Sequence, residues 1–164
     1  MQVYLVQHGE AKSEAEDPER SLTEQGEATV HRVATWAVRA GITVDQIRHS
    51  GKKRAAQTAA ILAAALKPPQ GAVAVSGLNP NDDISSVAEI LDTESTAIML
   101  VGHLPFLNRL ASLLAAGDPE RDIIRFQNAG IVCLSRQDGK WSIRWAVPPE
   151  LLGAAAVGDQ PSKQ

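Results

Sequence analysis

Two of the four histidines in this chain share a setting. His8 follows the short apolar run Val3-Tyr4-Leu5-Val6, and His103 follows another, Ala97 to Val101; a glycine stands beside each, Gly9 and Gly102. Continuous apolar runs of this length are the pattern of strands buried on both faces. In open α/β sheets, ligands bind outside the carboxyl ends of the strands. Two imidazoles at two strand ends therefore meet in one crevice if those strands are parallel neighbours. A third junction, Ser50-Gly51-Lys52-Lys53-Arg54, would bring a guanidinium and a helix N-terminus to the same edge. Helix N-termini favour anions, and Arg matches phosphate oxygens bidentately. Taken singly, each of these histidines reads as structural. The coincidence of His8, His103 and Arg54 at three strand ends points instead to a shared site for a tetrahedral anion.

The remaining candidates are weaker. His31 falls within a helical stretch beside its apolar stripe and reads as structural, while His49 precedes the strand-end serine and could rim the pocket. Lys52 and Lys53 are more often a solvated face than ligands. Metal binding fits poorly, because no two histidines have ligand spacing and a single Cys cannot build a thiolate site. The acidic clusters at Glu14 to Glu19 and at Asp82-Asp83 lack the spacing of a calcium loop. Neither a G-x-S-x-G elbow nor a Gly-x-x-x-x-Gly-Lys-Ser/Thr loop is present.

A sheet edge that gathers such side chains needs an α/β chain of modest size. The chain has 164 residues, enough for one core without disulfides or metals. Its net charge of −3 gives no basic face for nucleic acid, though an acidic chain can still hold a locally basic pocket. Cys133 is the single cysteine, so no intrachain disulfide forms, and its apolar setting reads as core. With no basic leader and no apolar stretch near the roughly 20 residues of a membrane helix, the expected location is cytoplasmic, with no membrane partner.

The elements follow from pattern and punctuation. Ser21 with Glu24 resembles a capping box, with Thr23 as a rival N-cap, before a helix carrying Val30, Val33, Ala34, Ala37 and Val38 on one stripe and ending at Gly41. A short strand within Ile42 to Ile47 leads to a second helix from near Lys53 to Leu66, stopped by Pro68-Pro69. Val73 to Val75 is a brief strand, and Ile84 to Leu91 marks a third helix. Pro105 suits the first position of a fourth. Ile131 to Ser135 and Trp141 to Ala146 flank Asp138-Gly139, a hairpin signal. The expected fold is a three-layer α/β/α sandwich with a mostly parallel central sheet and a C-terminal β-hairpin, one domain over residues 1–152 with a loose tail at 153–164.

These residues resemble the signature of the histidine phosphatase superfamily, the phosphoglycerate-mutase-like fold. Its strand ending in Arg-His-Gly corresponds to Val6-Gln7-His8-Gly9-Glu10. Ser21-Leu22-Thr23-Glu24-Gln25-Gly26 is similar to its "P-L-T-x-x-G" helix start, Ser50 to Thr58 to its "S-x-x-x-R-A-x-Q-T", and Val101-Gly102-His103-Leu104-Pro105 to its second histidine motif. Four motifs in the right order are specific together, and the small size with His-Leu-Pro looks most like the SixA-type phosphohistidine phosphatases. The resemblance implies a metal-independent phosphatase that needs no cofactor. His8 would be its nucleophile, His103 and Arg54 would hold phosphoryl oxygens, and Gln7, Gly9 and Ser50 would complete the phosphate site. The physical logic agrees, because phosphoryl transfer needs positioning and charge stabilisation more than elaborate covalent chemistry. Imidazole is a competent nucleophile near its ordinary pKa of ~6.5.

One departure stands out. Gln7 occupies the place of the family's Arg, so the pocket loses a positive charge unless Lys12, Lys52, Lys53 or His49 replaces it. The substrate expected on these grounds is phosphohistidine on a partner protein. Imidazole leaves with less help than an alkoxide, and Glu10, Asp82 and Asp83 are only candidates for a general acid. A phosphatase of small phosphoesters, or a weakly active phosphate-binding regulatory module, is the alternative.

Overall fold

The structure, a computed structural model, describes residues 1–153. All but the first residue of the expected tail therefore lies outside the described residues. The first apolar run forms β1 (Gln2–Gln7), and the run before His103 forms β4 (Ile98–Gly102). Both alternate between two cores. Tyr4, Val6, Met99 and Val101 enter one, and Val3, Leu5, Ile98 and Leu100 enter the other. That two-sided burial is why neither strand needs a polar face.

Helices cover both faces. α1 (Glu24–Arg39) and α2 (Lys53–Leu66) pack on the first core, and α3 (Ile84–Thr93) and α4 (Phe106–Ala116) on the second. With β2 (Gln46–His49), β3 (Ala72–Ala74), β5 (Ile131–Gln137) and β6 (Lys140–Val147), the sheet has the order β3-β2-β4-β1-β5-β6. β1, β2, β3 and β4 run parallel, and β5 and β6 are antiparallel additions. The expected three-layer architecture with its C-terminal hairpin is present. Asp138 and Gly139 take φ of 52° and 73°, the pair of left-handed residues that a two-residue hairpin turn requires.

Several boundaries differ from the sequence pattern. Thr23, not Ser21, caps α1, accepting from the Gly26 N–H at 2.9 Å. Ser21 is buried and bonded to the Asp17 carboxylate instead, which holds that carboxyl below its ordinary range. β2 begins at Gln46, since Ile42 and Val44 are core residues of the approach. Pro105 is the N-cap of α4 rather than its first residue. A 3-10 turn over Pro149–Leu152, unforeseen from the pattern, packs against α1. No helix among the described residues is long and apolar enough to cross a membrane.

Candidate active site

The ladder between β1 and β4 sets the site. Gln7 lies opposite Gly102, and the His8 N–H donates to the Gly102 carbonyl at 3.1 Å. His8 and His103 thus leave adjacent parallel strands at the same level, with ring centroids 5.0 Å apart and planes tilted by 51°. His8 Nδ1 is 2.6 Å from the Gly9 carbonyl oxygen. A carbonyl only accepts, so Nδ1 carries the proton and Nε2 keeps a lone pair. The Arg54 Nε–H, from the first turn of α2, donates to that Nε2 at 3.3 Å. His103 is 2% exposed, with Nε2 2.6 Å from Ser50 Oγ and Nδ1 buried without a partner.

Electrostatics keeps both rings neutral. Burial pushes the His8 pKa down to about 4, with Arg54 and Arg20 adding to the shift and the Gly9 carbonyl opposing it. Burial, followed by His8, Arg54, Lys52 and Arg20, holds His103 at about 3. A site with this much positive potential around two uncharged bases is suited to a dianion, which would relieve the charge crowding.

The His8 loop is pressed against α1, and two glycines allow it. A Cβ on Gly26 would stand 2.2 Å from the Glu10 carbonyl oxygen, and one on Gly9 would stand 2.8 Å from Val30 Cγ2. The Gly9 N–H donates to Thr58 Oγ1 at 3.0 Å, and Gln57 Oε1 accepts from the Leu22 N–H at 2.8 Å. The Gln-Thr pair of the α2 motif therefore fastens the loop and the start of α1 to α2.

A cleft of about 380 Å³ opens over these groups. Gln7, His8, Arg54 and His103 line it; Gly9 and Ser50 do not, and are engaged in Gly9-to-Thr58 and Ser50-to-His103 contacts instead. Arg20 lines it too, and sequence reasoning missed this residue within a stretch read as a polar loop. Arg20 is half-buried at φ 51°, a left-handed conformation rare for a long side chain, and its Nε–H donates to the Lys12 carbonyl at 3.2 Å. The signal that could have found it is its place immediately before the Ser21-Leu22-Thr23 helix start.

Other candidates are elsewhere. Lys53 pairs with Glu19 at 2.8 Å on the surface, and His49 accepts from the Gly51 N–H at 3.1 Å; neither they nor Lys12 line the cleft. His31 is exposed on α1. Of the possible acids, Asp83 caps α3 and Asp82 accepts from the Asn79 N–H at 2.8 Å, so both are committed to their own loop. Glu10 does line the cleft. Among the described residues no three His, Cys, Asp or Glu side chains cluster as metal ligands would.

A family model described as histidine phosphatase superfamily (branch 1) matches residues 3–77. An uncharacterised protein of Picosynechococcus sp. is 34% identical over 141 residues, which cover 82% of this chain and 84% of that protein. The protein histidine phosphatase SixA, solved with tungstate, aligns with a TM-score of 0.83 and 25% identity, covering 93% of this chain and 100% of that one. A phosphoserine phosphatase of Entamoeba histolytica, solved with 3-phosphoglyceric acid, shares the fold at a TM-score of 0.69 and 17% identity, covering 88% and 95%.

Proposed function

The chain belongs to the histidine phosphatase superfamily and is a phosphatase; we propose that it removes the phosphoryl group from phosphohistidine on a partner protein through a covalent intermediate on His8. The observation that carries this reading is the bond from His8 Nδ1 to the Gly9 carbonyl, which leaves Nε2 unprotonated beside Arg54 and His103. In the first step Nε2 attacks phosphorus, the bond from phosphorus to the substrate nitrogen breaks, and the imidazole leaves with the electron pair. Water then attacks the phosphorus on His8, releasing inorganic phosphate and restoring the free ring. Arg54, Arg20 and His103 surround the transferred group, where donors aimed at developing charge contribute most.

The leaving group favours phosphohistidine. Imidazole departs as a neutral base once its other nitrogen is protonated, near ~6.5 for the free ring, whereas an alkoxide needs a strong acid at the bond being broken. Asp82 and Asp83 are committed to their own loop and do not supply that acid, which leaves Glu10, bonded to Thr23, as the one candidate acid on the cleft among the described residues. The cleft is also continuous, through Arg20 and Arg54 on one side and Gln7, Glu10 and Asn128 on the other, with two further clefts of about 640 and 580 Å³. Such a trough suits a phosphorylated residue presented on a polypeptide. The likeness to a protein histidine phosphatase at 25% identity is consistent with this substrate.

Rapid-quench labelling tests the intermediate. With radiolabelled phosphohistidine protein, label transfers to the enzyme within one turnover and is absent in His8→Ala. Turnover without labelled enzyme overturns the nucleophile assignment. A panel that includes phosphoserine, sugar and glycerate phosphates tests the substrate; robust turnover of these with none of phosphohistidine protein establishes the phosphoester reading instead.

A further inference from the structure

Among the described residues lining the phosphoryl cleft, Glu10 brings the one carboxylate. A carboxylate beside a bound phosphate dianion is unfavourable unless a positive or hydrogen-donating group meets it, and with Arg20 and Arg54 turned to the phosphoryl oxygens that group falls to the substrate. Only part of the Glu10 side chain is engaged within the protein. Oε1 accepts from Thr23 Oγ1 at 2.9 Å, anchoring the group at the start of α1, and the residue is otherwise exposed. It also stands at a threshold: Gln7, Glu10 and Asn128 are common to the phosphoryl cleft and to the 580 Å³ cleft that continues along α1 past Gln25 and Arg32. A leaving group that exits on that side passes Glu10.

We propose that Glu10 is a specificity-determining residue that accepts a hydrogen bond from the distal ring N–H of a phosphoimidazolium leaving group. This rests on the phosphohistidine reading above. A phosphorylated imidazole whose second nitrogen is protonated carries a positive ring, and it breaks its bond to phosphorus by taking the bonding pair onto the nitrogen that held it. The second nitrogen keeps its proton throughout, so the product is neutral imidazole and no proton is drawn from the protein. A carboxylate that holds this N–H favours the protonated ring and orients it. Phosphoramidate has no distal ring nitrogen and gains nothing from the contact.

The ratio of kcat/KM for phosphoimidazole to that for phosphoramidate reads the contact directly. Glu10→Gln keeps an oxygen to accept from Thr23 and removes the charge; it lowers this ratio about tenfold, in line with a charge-assisted hydrogen bond. In the wild type the ratio declines as pH rises and the distal nitrogen loses its proton, and the substitution flattens that decline. Glu10→Ala, with an unaltered melting transition, gives the same change in ratio. Equal losses on both substrates, or an unchanged ratio, overturn the assignment. Failure of the wild type to turn over phosphoimidazole at all, with phosphoesters still hydrolysed, overturns instead the phosphohistidine reading beneath it.

Discussion

At Gln7 the site holds an amide where the family motif has a guanidinium. The amide is turned to Asn128, with Nε2 2.9 Å from its Oδ1, and Gln7 Oε1 is buried without a partner. The charge expected at that position enters from the loop before α1 instead, because Arg20 lines the same cleft and contributes to the pKa depression of both imidazoles. Arg20→Gln is therefore expected to lower kcat/KM toward phosphoramidate by roughly 10²-fold, the scale for losing one donor aimed at transition-state charge. Gln7→Arg adds a third guanidinium beside Arg54 and Arg20 and raises the same quantity by a smaller factor, about threefold to tenfold, since a charge-assisted bond replaces a neutral one. Steady-state kinetics on the two variants checks both. A fall or no change in Gln7→Arg would show that charge does not limit this pocket, and an unaffected Arg20→Gln would remove Arg20 from it.

The elements show what the motifs are for. Gly26 is the place where α1 meets the His8 loop, and an added Cβ collides with backbone at Glu10 rather than with a side chain that can swing away. Gly26→Ala should cost about 1–3 kcal/mol by overpacking, measured by denaturant unfolding. It should also reduce activity, because the displaced residues are those next to His8. Much of this fold was legible because β1 and β4 write their two-sided burial as unbroken apolar runs, and because Asp138-Gly139 and Pro68-Pro69 punctuate the chain locally. The convergence of His8, Arg54 and His103 followed from topology once those strands were placed side by side. What escaped was non-local. The competition between Ser21 and Thr23 was decided by Asp17, which bonds Ser21. Arg20 reads as one more charged loop residue until the left-handed turn at its own backbone is seen. The short start of β2 depends on pairing with β4, which no local pattern records.

For the molecule as a whole, the two suppressed imidazoles couple the site to stability. Their pKa values of about 4 and about 3 lie below the ~6.5 of an unfolded chain. Between these values the unfolded state binds protons that the folded state does not, so stability falls as pH drops from about 6.5 toward 4. The slope is at most about 1.4 kcal/mol per pH unit for each ring. Melting temperatures at pH 7 and pH 5 should therefore differ more in the wild type than in a protein with both His8 and His103 replaced by Asn. Sulfate, a dianion at both pH values, raises both pKa values through its own charge beside the rings, so the anion should stabilise the protein more at pH 5 than at pH 7. An anion effect independent of pH would show that the rings do not face the bound group.

The backbone bond between His8 and Gly102 has a further bearing on endurance. Both rings hang from interior strands of a six-stranded sheet, with β2 and β5 outside them. Central strands open only at free energies close to that of global unfolding. The pair of rings cannot drift apart while the sheet survives, so turnover lost on warming before the secondary structure melts should trace to the Arg20 loop and not to the two imidazoles.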